Sequence, residues 1–193
     1  GIDFEQNSHQ KAKTLKPDFI VKSPGISDAS DIVKFFVSNS VKIISEIEFA
    51  SLHCNSRIIG VTGSNGKTTT TTLAYKLISE GGYNCTISGN IGKRFSRVCE
   101  NDADFSIVEV SSFQLDGTES FKPHIAILNA ITPDHLDRYK NFEAYVESKF
   151  KIIKNQSEKD YLIYDSDCGI IDSYIKSNKI KSKLLPFSIK KKS

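Results

Sequence analysis

The segment RIIGVTGSNGKTTTTT, residues 57–72, decides the fold of this chain. Residues 57–62 form an apolar run typical of a buried strand, and residues 67–80 carry a helical pattern. The glycine-containing stretch 63–66 joins the two. A strand, such a loop and a helix in this order predict that backbone N–H groups face phosphate oxygens at the positive end of the helix.

Seven consecutive residues of this loop are therefore candidate nucleotide ligands. They are Gly63, Ser64, Asn65, Gly66, Lys67, Thr68 and Thr69. Lys67 is expected to reach the β- and γ-phosphates, and the Thr68 hydroxyl to hold Mg²⁺. Val61 stands where the general phosphate-loop (P-loop) pattern has its first glycine, so a Gly/Asn turn capping an ordinary helix is the alternative.

Short apolar runs and helical patterns alternate on both sides of this segment. Strands are predicted at 18–21, 41–44, 57–62, 84–87, 105–110, 125–128 and 161–164, and helices at 31–37, 46–52, 67–80 and 142–153. This alternation predicts an α/β fold with a mostly parallel sheet and flanking helices. The pattern is weakest at residues 53–56, which suggests a boundary there between two pieces.

The composition excludes several classes of protein. The chain has 193 residues, of which 38% are hydrophobic and 25% charged, so we expect a packed core rather than disorder. No apolar run approaches the roughly 20 residues of a membrane helix, and no secretory leader is visible. Four cysteines without metal-type spacing predict reduced thiols in a cytoplasmic protein. Residues 174–193 hold seven lysines and no acid, which we interpret as a solvated terminus rather than a nucleic-acid site.

Three further residues are candidates for chemistry. Glu109 lies near the end of an apolar strand, where it could serve a metal or, alternatively, face water. His135 belongs to the cluster TPDHLDRY, residues 132–139, which follows a predicted strand as ligand-binding groups do in α/β folds. Lys149 falls on the apolar stripe of the last predicted helix, and the alternative is that its ammonium reaches solvent.

Five motifs resemble those of the Mur ligases, the ATP-dependent amide-forming enzymes of peptidoglycan synthesis. They are TGSNGKTT (62–69), SGNIG (88–92), VEVSSFQLD (108–116), TPDHLDRY (132–139) and SKFKI (148–152). The sequences KSPGIS (22–27) and ISEIEF (44–49) resemble the end of the family's amino-terminal domain. The resemblance implies that residues 1–55 belong to a Rossmann-like UDP-binding domain and residues 56–193 to the P-loop-containing central ATP-binding domain. The carboxyl-terminal, glutamate-binding domain of the family would be absent from this chain.

The resemblance also implies roles for single residues. Residues 63–69 would bind ATP, with Lys67 on the transferred phosphate and Thr68 on the first of two Mg²⁺ ions. Glu109 would lie between the two ions, and His135 would face the second ion and the substrate. Lys149 matches the lysine that the family carbamylates with CO₂ to make an anionic metal ligand. The remaining implied substrate contacts are Gly25, Asn90, Ser111 and Gln114.

One departure from the family pattern concerns Asn129 and Ala130. The family usually has Asn where this chain has Ala130, and Asn129 stands one position early, so no contact is assigned to either residue.

Among the family's branches, SSFQLD and DHLDRY favour the one that adds D-glutamate to UDP-N-acetylmuramoyl-L-alanine. Such an enzyme would be cytoplasmic and monomeric, with small-molecule substrates and neither nucleic acid nor membrane as partner. We expect this chain to be too short to ligate by itself. The alternatives are another superfamily member, such as a folylpolyglutamate synthase-like enzyme, and a non-catalytic nucleotide-binding protein.

Overall fold

The computed structural model describes residues 3–134 and 137–190. Within these residues the helices are α1 (Gln10–Thr14), α2 (Asp31–Ser38), α3 (Glu46–Leu52), α4 (Lys67–Glu80), α5 (Ser112–Asp116), α6 (Phe142–Phe150) and α7 (Gly169–Ser177). The strands are β1 (Phe19–Lys22), β2 (Lys42–Ser45), β3 (Arg57–Thr62), β4 (Cys85–Gly89), β5 (Phe105–Glu109), β6 (Ile125–Leu128), β7 (Tyr161–Asp165) and β8 (Lys183–Phe187).

Six strands form a wholly parallel sheet in the order β4-β5-β3-β6-β7-β8. Its central strands β3, β5 and β6 are largely buried and rich in apolar residues, as is typical of strands covered by helices on both faces. One face packs the core that contains Phe95, Leu115 and Tyr145, and the other packs beneath α4. The predicted α/β fold with a mostly parallel sheet is confirmed.

A separate two-stranded parallel sheet, β1-β2, comes first in the chain. Helix α3 follows β2 directly and buries Ile47 and Ala50 in the larger core. The Glu48 carboxylate accepts hydrogen bonds from the backbone N–H groups of residues 119–121. These contacts attach α3 to the six-stranded unit, and the division after residue 55 stays a prediction.

The structure of the lysine-rich end differs from the one predicted from the sequence. A solvated terminus was expected over 174–193, but α7 extends to Ser177 and β8 pairs in parallel with β7. Tyr174 also stacks on Phe150, with 3.6 Å between ring centroids. The expectation was wrong because pairing with β7 satisfies the backbone of β8 while its side chains stay exposed to water.

The sequence predicts neither a membrane-spanning helix nor a disulfide. No helix in the described ranges has the length and apolar character needed to cross a bilayer. All four cysteines are free thiols.

Candidate active site

Four neighbouring strands end at one edge of the sheet, and each contributes a candidate residue there. Gly63 follows β3, Asn90 follows β4, Glu109 ends β5 and Asn129 follows β6. Because the strands are parallel, their carboxyl ends meet, and this edge is where α/β folds bind ligands.

The P-loop closes tightly against Asn129. Gly63 has φ +150°, and a Cβ there would lie 2.7 Å from the Asn129 Cβ, so only glycine fits. The Asn129 amide donates to the Thr70 hydroxyl at 3.0 Å. Sequence reasoning left Asn129 unassigned, and the structure gives it the role of fixing the loop from the neighbouring strand.

Ser64 joins the P-loop to the segment that follows β6. Its hydroxyl donates to the Thr132 carbonyl at 2.9 Å and accepts from the Thr132 N–H at 3.0 Å. The Ser64 backbone N–H donates to the Ala130 carbonyl at 3.0 Å. The Tyr145 hydroxyl, which sequence reasoning missed, lies 3.0 Å from the same Ser64 oxygen. These partners are far apart in the sequence, so no local pattern indicates them.

The Lys67 ammonium folds back onto its own loop. It donates to the carbonyls of Gly63 at 3.0 Å and Ser64 at 2.9 Å. Backbone carbonyls thus hold the cation at the mouth of the loop, close to where a phosphate would bind.

Glu109 connects three of the predicted site residues. One carboxylate oxygen accepts from the Thr68 hydroxyl at 2.9 Å, and the other accepts from the Asn90 amide at 2.9 Å. Glu109 is only 1% exposed, so the alternative of a strand-end glutamate facing water is wrong. Gly89 has φ +100°, and a Cβ there would collide with the Glu109 carbonyl oxygen, which explains the glycine before Asn90.

Lys149 reaches the same edge from α6. It is 2% exposed, and its ammonium donates to the Gly63 carbonyl at 2.9 Å and lies 4.7 Å from the centroid of the Tyr145 ring. Burial, and next the positive charge of Lys67, lower the pKa of Lys149 to about 7 from its ordinary 10.5. The alternative that this ammonium reaches solvent is wrong.

Three of the remaining predicted residues lie in a helix cap or a turn, and one is not described. Ser111 and Gln114 form a capping box at the start of α5, in which the Gln114 side chain accepts from the Ser111 N–H at 2.9 Å. Gly25 lies in the turn after β1, and the adjacent Pro24 carbonyl accepts a 3.4 Å hydrogen bond from Arg138. His135 lies outside the described residues.

The ligand chemistry of this edge suits a hard cation. The Thr68 hydroxyl and the Glu109 carboxylate offer the oxygen donors that Mg²⁺ prefers, and they already lie in mutual contact. Lys149 cannot coordinate a cation as an ammonium, and it would need chemical conversion to do so. Among the described residues, no group of three or more His, Cys, Asp or Glu side chains could hold a metal by itself.

Comparisons with known proteins agree with this geometry. Residues 61–193 match the family model described as the Mur ligase middle domain. A UDP-N-acetylmuramoylalanine–D-glutamate ligase of Christiangramia forsetii is 48% identical over 193 residues, covering 99% of this chain and 43% of that protein. This chain therefore spans less than half the length of that curated relative.

Two solved structures share the fold. The UDP-N-acetylmuramate:L-alanyl-gamma-D-glutamyl-meso-diaminopimelate ligase from Neisseria meningitides matches with a TM-score of 0.67 and 17% identity, covering 94% of this chain and 62% of that one. The MurF ligase from Thermotoga maritima, in complex with ADP, matches with a TM-score of 0.57 and 19% identity, covering 82% of this chain and 44% of that one. The two structures show the shared fold, and the family model over residues 61–193 shows that the chain belongs to the Mur ligase family and carries its middle domain.

Proposed function

We propose that the protein containing this chain is an ATP-dependent ligase that joins D-glutamate to UDP-N-acetylmuramoyl-L-alanine in peptidoglycan synthesis. The observation that carries the proposal is the meeting of Thr68, Glu109 and Lys149 at the P-loop edge of the sheet. The relative that is 48% identical over nearly the whole chain bears the name of this activity.

ATP would bind over residues 63–69. Lys67 would exchange its two carbonyl partners for phosphate oxygens of the nucleotide, and its charge would stabilise the γ-phosphoryl group during transfer. Thr68 and Glu109 would hold the first of two Mg²⁺ ions. Bound Mg²⁺ would supply neutralisation of the charge that develops on the transferred phosphoryl group.

Lys149 would complete the metal site after carbamylation. With its pKa at about 7, a large fraction of the amine is neutral near neutral pH and can attack CO₂. The neutral nitrogen forms an N–C bond to CO₂, one C–O π pair of CO₂ moves onto oxygen, and the nitrogen releases one proton. The neutral amine would thereby become an anionic oxygen ligand, and the ammonium form would first have to lose a further proton. An unmodified ammonium beside two divalent ions would instead repel them.

Amide formation would follow in two steps. The substrate carboxylate attacks the γ-phosphorus to form an acyl phosphate and ADP. The amine of D-glutamate then attacks the acyl carbon and phosphate leaves. We propose His135, Asn90, Ser111, Gln114 and Gly25 as contacts of the UDP-linked substrate.

The domain organisation is part of this proposal. Residues 1–55 would belong to the UDP-binding domain and residues 56–193 to the ATP-binding domain. This chain spans 43% of the relative's length, so the activity proposed here is that of the full-length protein. We propose a cytoplasmic monomer for the full-length protein.

The test is phosphate release from ATP by the full-length protein, with and without each substrate. Release that requires both UDP-N-acetylmuramoyl-L-alanine and D-glutamate would support the proposal. A folylpolyglutamate synthase-like enzyme would turn over without the UDP-linked substrate, and a non-catalytic nucleotide-binding protein would release no phosphate under any condition. Either result would overturn the proposal.

The role of Lys149 has its own test in the same assay. Lys149→Ala should abolish phosphate release, and added formate, a small carboxylate, should restore part of it. Lys154→Ala is the matched control, because Lys154 is an exposed lysine five residues further along. Unchanged turnover in Lys149→Ala would remove this residue from the mechanism.

A further inference from the structure

Tyr145 lies beneath the candidate active site and contacts it with both ends of its side chain. It is 1% exposed. Its hydroxyl lies 3.0 Å from the Ser64 hydroxyl in the P-loop. Its ring centroid lies 4.7 Å from the Lys149 ammonium, one helical turn along α6.

Counting protons decides the direction of the Tyr145–Ser64 hydrogen bond. A serine hydroxyl has one proton and two lone pairs. The Ser64 proton goes to the Thr132 carbonyl, and one lone pair accepts the Thr132 N–H. The second lone pair therefore accepts from the Tyr145 hydroxyl, which must be the donor.

This count also limits what Ser64 can do for a nucleotide. Its hydroxyl is filled by three hydrogen bonds, and its backbone N–H is taken by the Ala130 carbonyl. Within the ATP-binding stretch 63–69, Ser64 would therefore contribute by shaping the loop rather than by donating a hydrogen bond to a phosphate. The shape that it imposes depends on Tyr145 and on the segment after β6.

We propose that Tyr145 is a positioning residue that fixes the P-loop and Lys149 relative to each other. Its hydroxyl holds the P-loop through Ser64, and its ring holds Lys149. The inference rests on the function proposed above. Gly63 strengthens the connection, since its carbonyl accepts from both Lys149 and Lys67. The hydroxyl of Tyr145 thus acts on the nucleotide side of the site and its ring acts on the metal side.

The two ends of the side chain can be separated by substitution. Tyr145→Phe keeps the ring and deletes the hydroxyl, so it should weaken nucleotide binding and leave the bicarbonate dependence of turnover intact. Tyr145→Leu deletes both, so it should also lower kcat and abolish the response to bicarbonate. A residue that only filled the core would lower the melting temperature without this division of effects.

The deciding experiment is calorimetric titration of the full-length protein with Mg²⁺ and a non-hydrolysable ATP analogue. Tyr145→Phe should raise the Kd about 3- to 10-fold, the range for one lost neutral hydrogen bond. Tyr161→Phe is the control, because Tyr161 begins β7 at the opposite end of the sheet, and its Kd should equal that of the wild type. In a protein that already carries Ser64→Ala, Tyr145→Phe should not raise the Kd further, since both hydroxyls belong to one interaction.

Each outcome decides the inference. Equal Kd values for wild type and Tyr145→Phe would overturn it. So would a double variant whose change in binding free energy equals the sum of the changes in the two single variants. If Tyr145→Phe did not fold, an unchanged Kd in Ser64→Ala would overturn it instead. A wild type that binds no nucleotide would overturn both this inference and the proposed function, whereas binding without ligation would overturn only the proposed function.

Discussion

Each end of the six-stranded sheet buries a charged side chain, but the partners of the two charges differ. At the amino end, Asp160 is 5% exposed and accepts hydrogen bonds from Ser157, and it lies 3.2 Å from both Lys122 and His124. At the carboxyl end, Lys149 contacts a carbonyl and an aromatic ring, and it makes no ion pair within residues 3–134 and 137–190. Asp134 and Asp116 attract the Lys149 charge without forming an ion pair with it, and burial outweighs them. A buried charge whose pKa is shifted in this way is a typical feature of a functional site.

The pKa values of these two groups record the difference. Burial acts to raise the pKa of Asp160, but its hydrogen bonds with Ser157, Lys122 and His124 overcome this and lower the pKa to about 2. Asp160 therefore stabilises the fold above its ordinary pKa of 3.8, and that contribution is lost as the pH falls towards 2. For Lys149 the unfolded chain binds the proton more tightly, so stability rises with pH between about 7 and 10.5.

The largest effect should come from the carboxylate at the functional end. Glu109→Gln keeps the size of the side chain but removes the charge that would hold Mg²⁺. In the full-length protein we expect kcat to fall by at least about 100-fold, the scale for losing one preorganised electrostatic group. Glu80→Gln, at the exposed end of α4, is the matched control in steady-state kinetics. An unchanged kcat in Glu109→Gln would mean that Glu109 does not hold the metal.

Removing the charge of Lys149 should stabilise the protein while destroying its activity. Lys149→Met fills similar volume without a charge, so the free energy of unfolding at pH 7 should rise by about 1 to 4 kcal/mol. The gain should shrink as the pH rises from about 7 past 10.5, because the wild-type amine is neutral in both states only above its ordinary pKa. Urea unfolding measured across this pH range checks the prediction, and a loss of stability in the variant would contradict the comparison.

Removing the charge of Asp160 should have the opposite outcome. Asp160→Asn should lower the free energy of unfolding at pH 7 by about 2 kcal/mol, because charge-assisted hydrogen bonds are lost. The KM for ATP should not change, since this end of the sheet is remote from the P-loop. Wild type and variant should converge in stability as the pH falls from 3.8 towards 2. A constant difference in stability across that range would show that Asp160 is not stabilised through its charge.

The smallest effect should come from Lys122, the half-exposed partner of Asp160. Its side chain is 45% exposed, so water screens the ion pair. Lys122→Ala should lower the free energy of unfolding by less than about 1 kcal/mol, and the loss should decrease further in high salt. A loss as large as that in Asp160→Asn would mean that the pair is far less screened than its exposure indicates.

Local patterns in the sequence were sufficient for much of the fold. The predicted bounds of β3, α3, α4 and β6 agree with the structure because apolar spacing and terminating residues act within one element. Helix α5 was missed because its five residues are too short for a periodic pattern. Strand β8 was missed because it lies within a lysine-rich stretch of sequence and only its pairing with β7 identifies it.

The candidate site was predictable only where a motif carries its chemistry in consecutive residues. Lys67 and Thr68 follow from the P-loop pattern alone. Tyr145 and Asn129 act through contacts that cross the sequence by more than fifty residues, so no local signal marks them. Burial of Lys149 results from the packing of α6 against the P-loop, which the local sequence does not indicate.

The central claim is that Lys149, a buried amine without a direct ion pair among the described residues, captures CO₂. The most direct measurement is the carbon-13 NMR spectrum of the full-length protein in ¹³C-bicarbonate, recorded for wild type and for Lys149→Met. The account predicts a carbamate signal in the wild type that is missing from the variant. A wild-type spectrum without a carbamate signal at saturating bicarbonate, or a signal that persists in Lys149→Met, would contradict it.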